Sequence, residues 1–434
     1  MKLWQKSDTQ TAEQVEQFTV GRDREFDLLL ARYDVQGSIA HVTMLEEARL
    51  LTSSETSAAL EGLNQILQTI EAGSFRLEEG MEDVHSQVEW QLTQMIGEAG
   101  KKIHTGRSRN DQVAVDIKLF LREELKKIVF KTQNLFECLL QQSEVHRLKL
   151  LPGYTHLQLA MPSSAGLWLS GYAESLIDDL ELLAAAYRIV NKNPLGSGAG
   201  YGTGLPLKRR RTTELLGFET LNWSSTYAQM SRGKTEKAVA IGCAALAATM
   251  SRFSMDACLY LNQQFGFISF PESLTTGSSI MPHKKNPDVL ELIRARCNRI
   301  QAVPNELTLL ISNLPGGYHR DLQLTKEILF PAMAELLSCV EMLTLMVQQL
   351  QVSDRLLEDE KFQHLFSVEA VNQRVRAGKS FREAYREVGV EIADGSYVAP
   401  ALNLQQEGWH EGSIGNLCLE EIRNEMKKVA DRFQ

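Results

Sequence analysis

Residues 107–151, RSRNDQVAVDIKLFLREELKKIVFKTQNLFECLLQQSEVHRLKLL, run for 45 positions without a glycine or a proline. Val113, Ile117, Phe120, Leu121, Leu125, Ile128, Val129, Leu135, Leu139 and Leu140 recur at helical spacing along a broad apolar stripe. A helix of about 35 residues extends roughly 50 Å at ~1.5 Å per residue. Further long candidates run from Thr235 to about Gln263 and from near Pro331 to about Gln351, with shorter ones at Ala173–Asn191 and Asp288–Gln301. Helices this long, apolar on more than one face, need partners on several sides, so the expectation is an all-α bundle that also assembles with other chains.

The flanks differ. Before residue 107 the helical patterns are shorter, at Asp27–Val35, Ile39–Leu51 and Ser54–Ala72, with Gly73 and Gly80 punctuating them. After about residue 352 short helices return around Gly378, Gly389 and Gly395. This predicts a small N-terminal domain (1–106), a central long-helix bundle (107–352) and a small C-terminal domain (353–434).

At 434 residues, 43% hydrophobic and 23% charged, the chain is ordinary for a globular protein and can bury a large core. Its net charge of −9 argues against a nucleic-acid partner or an acidic membrane surface, both of which attract a basic field. The opening MKLWQKSD lacks the apolar core of a signal peptide, and no apolar stretch approaches membrane-spanning length. The expected location is the cytoplasm. Six cysteines at 138, 243, 258, 297, 339 and 418 form no CxxC pair, and several lie in helical apolar contexts, which suits free thiols. Nine histidines show no HExxH or other close ligand spacing, so no metal is expected.

Chemistry-bearing residues fall in separate blocks. Thr276-Gly-Ser-Ser-Ile-Met-Pro-His-Lys-Lys-Asn-Pro-Asp288 brings hydroxyls and two lysines to the start of a helix, with Asn286 as N-cap and Pro287 at the first helical position. The positive end of that helix dipole suits a carboxylate or phosphate, and a surface loop that merely caps a helix is an equally good reading of this stretch. Ser108-Arg-Asn-Asp-Gln112 opens the longest helix and joins an arginine fork to a helix N-terminus, although Ser108 or Asn110 could be a simple cap. Gly153-Tyr-Thr-His-Leu-Gln158 holds a histidine on a short turn between Pro152 and Pro162, either a proton donor or a solvated loop residue. In Met81-Glu-Asp-Val-His85, an extended backbone would point Asp83 and His85 the same way. Tyr318, Gln323 and Lys326 precede a helical stretch and could hold a multidentate polar ligand or form a solvated turn.

The glycine run Asn193-Pro-Leu-Gly-Ser-Gly-Ala-Gly-Tyr-Gly-Thr-Gly204 fails the dinucleotide spacing and follows a helix where a strand is needed. Gly233-Lys-Thr235 and Gly378-Lys-Ser380 lack the upstream glycine of a P-loop, Ala228 and Gln373 standing in its place. The run reads as a loop where backbones pack closely or approach a ligand.

Taken together, these blocks resemble the fumarase/aspartase superfamily of lyases. GSSIMPHKKNP is similar to its signature, and GSIAHVTML, MEDVH, IHTGRSRNDQ, GYTHLQLAMP and YHRDLQLTKE are similar to the versions in the argininosuccinate lyase family. The resemblance covers residues 1–350 well and the last 80 less clearly.

It implies a three-domain, tetramer-forming all-α fold whose active sites arise where three subunits meet. It also implies reversible elimination of arginine from argininosuccinate, giving fumarate, the last step of arginine biosynthesis, without cofactor or metal. On it, Ser278 is the general base, His156 stands on the acid side with Glu291 as its partner, and Lys284 and Asn286 face the developing negative charge. Ser38, Arg109, Asn110 and Thr155 match positions that grip the succinyl part. Tyr318, Gln323 and Lys326 match those that hold the arginine part, and Asp83 and His85 match a substrate-side loop. Adenylosuccinate lyase, another superfamily C–N lyase and a catalytically silent crystallin-like protein are the alternatives.

Departures from the family pattern lie at Asn222–Lys234, where Arg232 is kept only with two inserted residues and the acids are lost. Others are Lys208 in place of an Asp and Tyr385 in place of a His. These leave the elimination residues in place and bear on the arginine-side pocket.

Overall fold

The computed structural model describes residues 13–78, 80–354, 356–402, 404 and 409–433. The opening residues read for a leader lie outside them. Five helices build the centre: Arg109–Val145, Ala165–Val190, Lys234–Leu261, Asp288–Ile300 and Thr325–Gln348. The first packs against the second and fifth, and the third against the second, fourth and fifth. One large apolar cluster fills the space between them, with Leu121, Leu125, Ile128 and Phe136 fully buried. Full burial of each such side chain is worth about 1.5–3 kcal/mol, which outweighs weak local propensity at the helix ends.

Helix starts follow capping chemistry. Ser108 caps the 37-residue helix, and Asp111 returns the bond to the Ser108 N–H (2.8 Å), completing a capping box. The Ala165–Val190 helix begins eight residues before the expected Ala173, because the Ser164 side chain accepts from the Leu167 N–H. The fifth helix begins at Thr325 and carries Pro331 inside it, where the sequence places a helix start.

In the N-terminal part the two expected helices at 27–35 and 39–51 are one, Ala31–Glu47, running through Gly37. A Cβ on Gly37 would lie 3.4 Å from Val115 and 3.6 Å from Asp116, ordinary contact distances that set this helix directly against the longest one. A separate apolar cluster joins the Ala31–Glu47, Ser53–Glu71 and Val84–Ile96 helices. A third, small cluster lies between Ser367–Arg376 and Phe381–Asp394, whereas the final helix, Leu419–Ala430, packs onto the bundle.

Two features depart from the expectations. Leu150–Thr155 and Gln158–Ser164 form an antiparallel hairpin. Two helical stretches, Lys234–Leu261 and 320–348, are apolar and long enough to cross a membrane by length and composition, which corrects the expectation that none approaches that length. Charged residues at intervals break both into shorter apolar runs in the sequence, and in the fold both lie among the helices of the bundle.

Candidate active site

A cavity of about 230 Å³ opens where the N-terminal helices meet the bundle. Its walls bring together seven residues singled out from sequence: Asp83, His85, Arg109, Asn110, Tyr318, Gln323 and Lys326. Asp83 does not lie in an extended pair with His85. It caps Val84–Ile96 by accepting from the Ser86 N–H (2.9 Å), which places His85 in the first helical turn. Arg109, first residue of the longest helix, pairs with Asp83 (2.9 Å) and Glu82 (3.3 Å) and donates to the Ser86 hydroxyl (2.8 Å). Gln323 donates to the Thr19 carbonyl (3.0 Å) and accepts from Arg320 (3.2 Å).

Lys326 is buried between Asp23 (2.8 Å) and Asp27 (2.9 Å). Burial alone would depress its pKa, but the Asp27 and Asp23 carboxylates outweigh that and hold the ammonium above the ordinary lysine value. Burial would raise Asp27, yet Lys326, His85 and the Val84 N–H (2.8 Å) keep it below the usual carboxylate range. Asp23, more open to solvent, goes the other way, pushed up by burial despite Lys326.

Sequence reading missed both acids. Their signal was two carboxylates at i and i+4 on a short helix, a repelling arrangement that calls for a cation from elsewhere. Arg232, noted only as a family departure, also lines the cavity; it pairs with buried Glu236 (3.2 Å) and donates to the Leu322 carbonyl (3.2 Å). Lys208 and Tyr385, by contrast, lie outside the cavity wall, Lys208 donating to the Glu47 carbonyl (2.6 Å) and Tyr385 exposed beside Phe381.

Ser38 sits one layer behind, fully buried, and accepts from Arg107 (2.9 Å). There Asp34, His85 and Asp116 each offer a ligand atom within 4.8 Å of the others, a spacing that could hold a metal ion. Burial would lower the His85 pKa, but Asp34, Asp83 and Asp116 push it up to about 10. With Arg107 facing Asp34 and Asp116, the cluster already carries its own balancing cations. Asp34 and Asp116 were also missed, although Asp116 interrupts the apolar stripe, three residues after Val113 and four before Phe120.

The remaining predicted residues are not in this cavity. Thr155 and His156 lie at the exposed tip of the hairpin, where Thr155 pairs with Gln158 across a two-residue turn. Both turn residues, His156 (φ 54°) and Leu157 (φ 58°), are left-handed, a conformation such turns normally give to Asn-Gly. Leu157 is 80% exposed.

Ser278, Lys284, Asn286 and Glu291 lie on or beside the 276–288 loop, Lys284 and Glu291 exposed. The Ser278 hydroxyl accepts from the N–H groups of Met281 (3.2 Å) and Ile280 (3.4 Å). Asn286 is not the helix cap. The helix starts at Asp288 with Pro287 before it, and Asn286 instead closes the neck of the loop. It exchanges backbone bonds with Thr276 (2.7 and 3.3 Å), and its side chain donates to the Gly277 carbonyl (3.1 Å).

The glycine run is a cradle for a buried carboxylate. Gly196 and Gly198, both left-handed, donate backbone N–H groups to Asp111 (2.9 and 3.0 Å) at the head of the longest helix. A Cβ on Gly196 would lie 2.8 Å from the Arg209 side chain.

A lyase family profile matches residues 5–302. An argininosuccinate lyase of Parabacteroides distasonis is 54% identical, over 100% of this chain and 96% of its own length. The chain belongs to the argininosuccinate lyase family. A second member, from Bacteroides thetaiotaomicron, is 52% identical with the same coverage. Among solved structures, an EDDS lyase variant with bound fumarate matches with a TM-score of 0.77 at 22% identity, covering 98% of this chain and 91% of its own. That likeness establishes the helical fold shared with this family, and no more.

Proposed function

We propose that this chain is an argininosuccinate lyase, eliminating arginine from argininosuccinate to leave fumarate. One observation carries the reading: identity above 50% with argininosuccinate lyases along the whole chain. The cavity suits an amino-acid-like ligand, because Lys326, Arg109 and Arg232 can meet carboxylates while Asp23 can meet an ammonium.

Elimination removes a proton from the carbon beside a carboxylate, and the resulting doubly charged aci-carboxylate needs fixed positive groups. Ser278 is the proposed base. Two backbone N–H groups directed at its oxygen favour the alkoxide, and Lys284 and Asn286 ride on the same loop. As the C–N bond breaks, a proton from the His156 side, with Glu291 behind it, neutralises the departing guanidino nitrogen. Thr155, Asn110, Arg109 and Ser38 serve the succinyl half. Tyr318, Gln323 and Lys326 serve the arginine half, with Asp83 and His85 alongside.

The binding half and the reacting half lie apart in one chain, so the working unit is proposed to be a homotetramer that brings hairpin and loop to a neighbour's cavity. Apolar side chains left exposed on bundle helices, among them Phe130, Leu182, Ile241, Leu292 and Leu345, support association. The division at about 106 and 352 is retained as the proposed domain organisation. The six free thiols fit a reducing cytoplasm.

The test is to incubate purified protein separately with argininosuccinate and adenylosuccinate and to measure fumarate and the co-product. Fumarate with arginine is expected; fumarate from neither overturns the enzyme reading, and fumarate from adenylosuccinate alone redirects it.

A further inference from the structure

We propose that Asp34, with Asp116 beside it, is a positioning residue that fixes His85 so that its Nε2 nitrogen donates a hydrogen bond to a carboxylate of the bound substrate. This rests on the lyase reading and concerns how the cavity recognises its ligand. Three helices converge to make the arrangement: Asp34 on Ala31–Glu47, His85 on Val84–Ile96 and Asp116 on Arg109–Val145. Gly37, on the first of these helices, faces Val115 and Asp116 of the third.

His85 Nδ1 lies 2.8 Å from Asp34 and 3.7 Å from Asp116, all three side chains being almost wholly buried. That contact uses one ring nitrogen. The other, Nε2, is buried without a protein partner, as are the second oxygen of Asp34 and both oxygens of Asp116. A buried polar atom left unsatisfied costs about 1–3 kcal/mol, so a fold that keeps several together just behind a ligand cavity points to a ligand for the one that reaches its wall. His85 is the member of the cluster that lines the cavity, alongside Lys326 and Tyr318.

The protonation state decides what Nε2 can do. An imidazolium donates from both nitrogens; a neutral ring donating through Nδ1 to Asp34 would present Nε2 as a lone pair, which repels a carboxylate. Asp34, Asp116, Asp83 and Asp27 face the ring as acids, against the neighbouring cations or bases His104 and Arg107. The acids prevail, and His85 stays charged to about pH 10. Burial, followed by the nearby Asp34 charge, pushes Asp116 well above the carboxylate range, and it is Asp34, at 2.8 Å, that holds the ring nitrogen while Asp116 stands back at 3.7 Å.

The two acids should therefore differ in a kinetic test. In Asp34→Asn the ring loses its charged partner and neutralises. KM for argininosuccinate should rise about tenfold at pH 8 and recover toward pH 6, while kcat changes less than threefold. Asp116→Asn, which leaves the 2.8 Å Asp34–His85 contact in place, should leave KM independent of pH, as in the unmodified protein. His85→Gln should raise KM by a similar factor at every pH, and adding Asp34→Asn to it should raise KM no further. An Asp34→Asn variant with pH-independent KM, or additive effects in the double variant, overturns the proposal. If Asp34→Asn does not fold, wild-type KM in His85→Gln overturns it equally. Arginine affinity, measured by calorimetry at pH 6 and 8 in the same variants, keeps this test separate from the lyase reading. Protein that makes no fumarate but binds arginine in an Asp34-dependent, pH-dependent way retains the positioning role and loses the enzyme assignment.

Discussion

The cavity and the 276–288 loop are built on opposite principles. Around Lys326 the charges are buried, paired and fixed by several helices, with Asp23, Asp27, Asp83 and Arg109 all in contact before any ligand arrives. Around Ser278 the chain is open, held by backbone bonds at its neck, with Ile280 82% exposed and Lys284 in solvent. The hairpin tip at His156 resembles the loop in this respect. Recognition is thus organised within one chain, whereas the proposed reacting groups are displayed outward. A single chain of this kind should bind better than it reacts.

The contrast can be broken most forcefully at Ser278. Ser278→Ala should lower kcat by about 10²–10⁴, the usual contribution of a general base, with the oligomer unchanged by light scattering. Near-normal turnover removes Ser278 from the reaction.

On the cavity side, Lys326→Met leaves the Asp27 carboxylate buried without its cation. Removing one member of such a pair costs about 3–5 kcal/mol, so the denaturant midpoint should fall sharply. KM should also rise by more than kcat drops, and an unchanged KM would remove Lys326 from binding.

Acid sharpens the contrast in a graded way. His41 and His104 are held below the ordinary histidine pKa, first by burial and then by Arg107, His104 at about 4. A depressed histidine favours folding while neutral, and that contribution is lost as pH falls below about 6.5 toward 4. His85 has the opposite sign: its contribution is complete below about 6.5 and is lost as pH rises through about 10. Melting temperature should therefore be highest near pH 6.5, where the two windows meet, and lower at pH 5, where two histidines oppose folding, than at pH 7.5. A flat profile from pH 5 to 7.5 contradicts the burial of these imidazoles.

The smallest effect is expected at the hairpin. Leu157→Gly relieves a left-handed residue and should stabilise the chain by about 1 kcal/mol, read as a raised denaturant midpoint at fixed protein concentration. A lowered midpoint would show that Leu157 packs on a neighbour strongly enough to outweigh the relief.

Much of this was legible in the sequence because the long helices carry an uninterrupted 3.6-residue apolar period, and Ser108 signals its own cap. The hairpin was not, since Pro152 and Pro162 disguise its strands and His156-Leu157 replaces the turn residues that would announce it. The cavity followed the same division. Arg109, Tyr318, Gln323 and Lys326 stand in recognisable blocks, whereas Asp23, Asp27, Asp34 and Asp116 acquire meaning only from partners distant in sequence, such as Lys326 and His85. Local period and capping are written along the chain; charge pairing across helices is not.

The neck formed by Thr276 and Asn286 has a consequence for timing. Because the segment is tied at both ends, a swing of this arm carries Ser278 and Lys284 together. The group proposed to take the proton is therefore delivered on the same tether as the cation proposed to stabilise the product of that step.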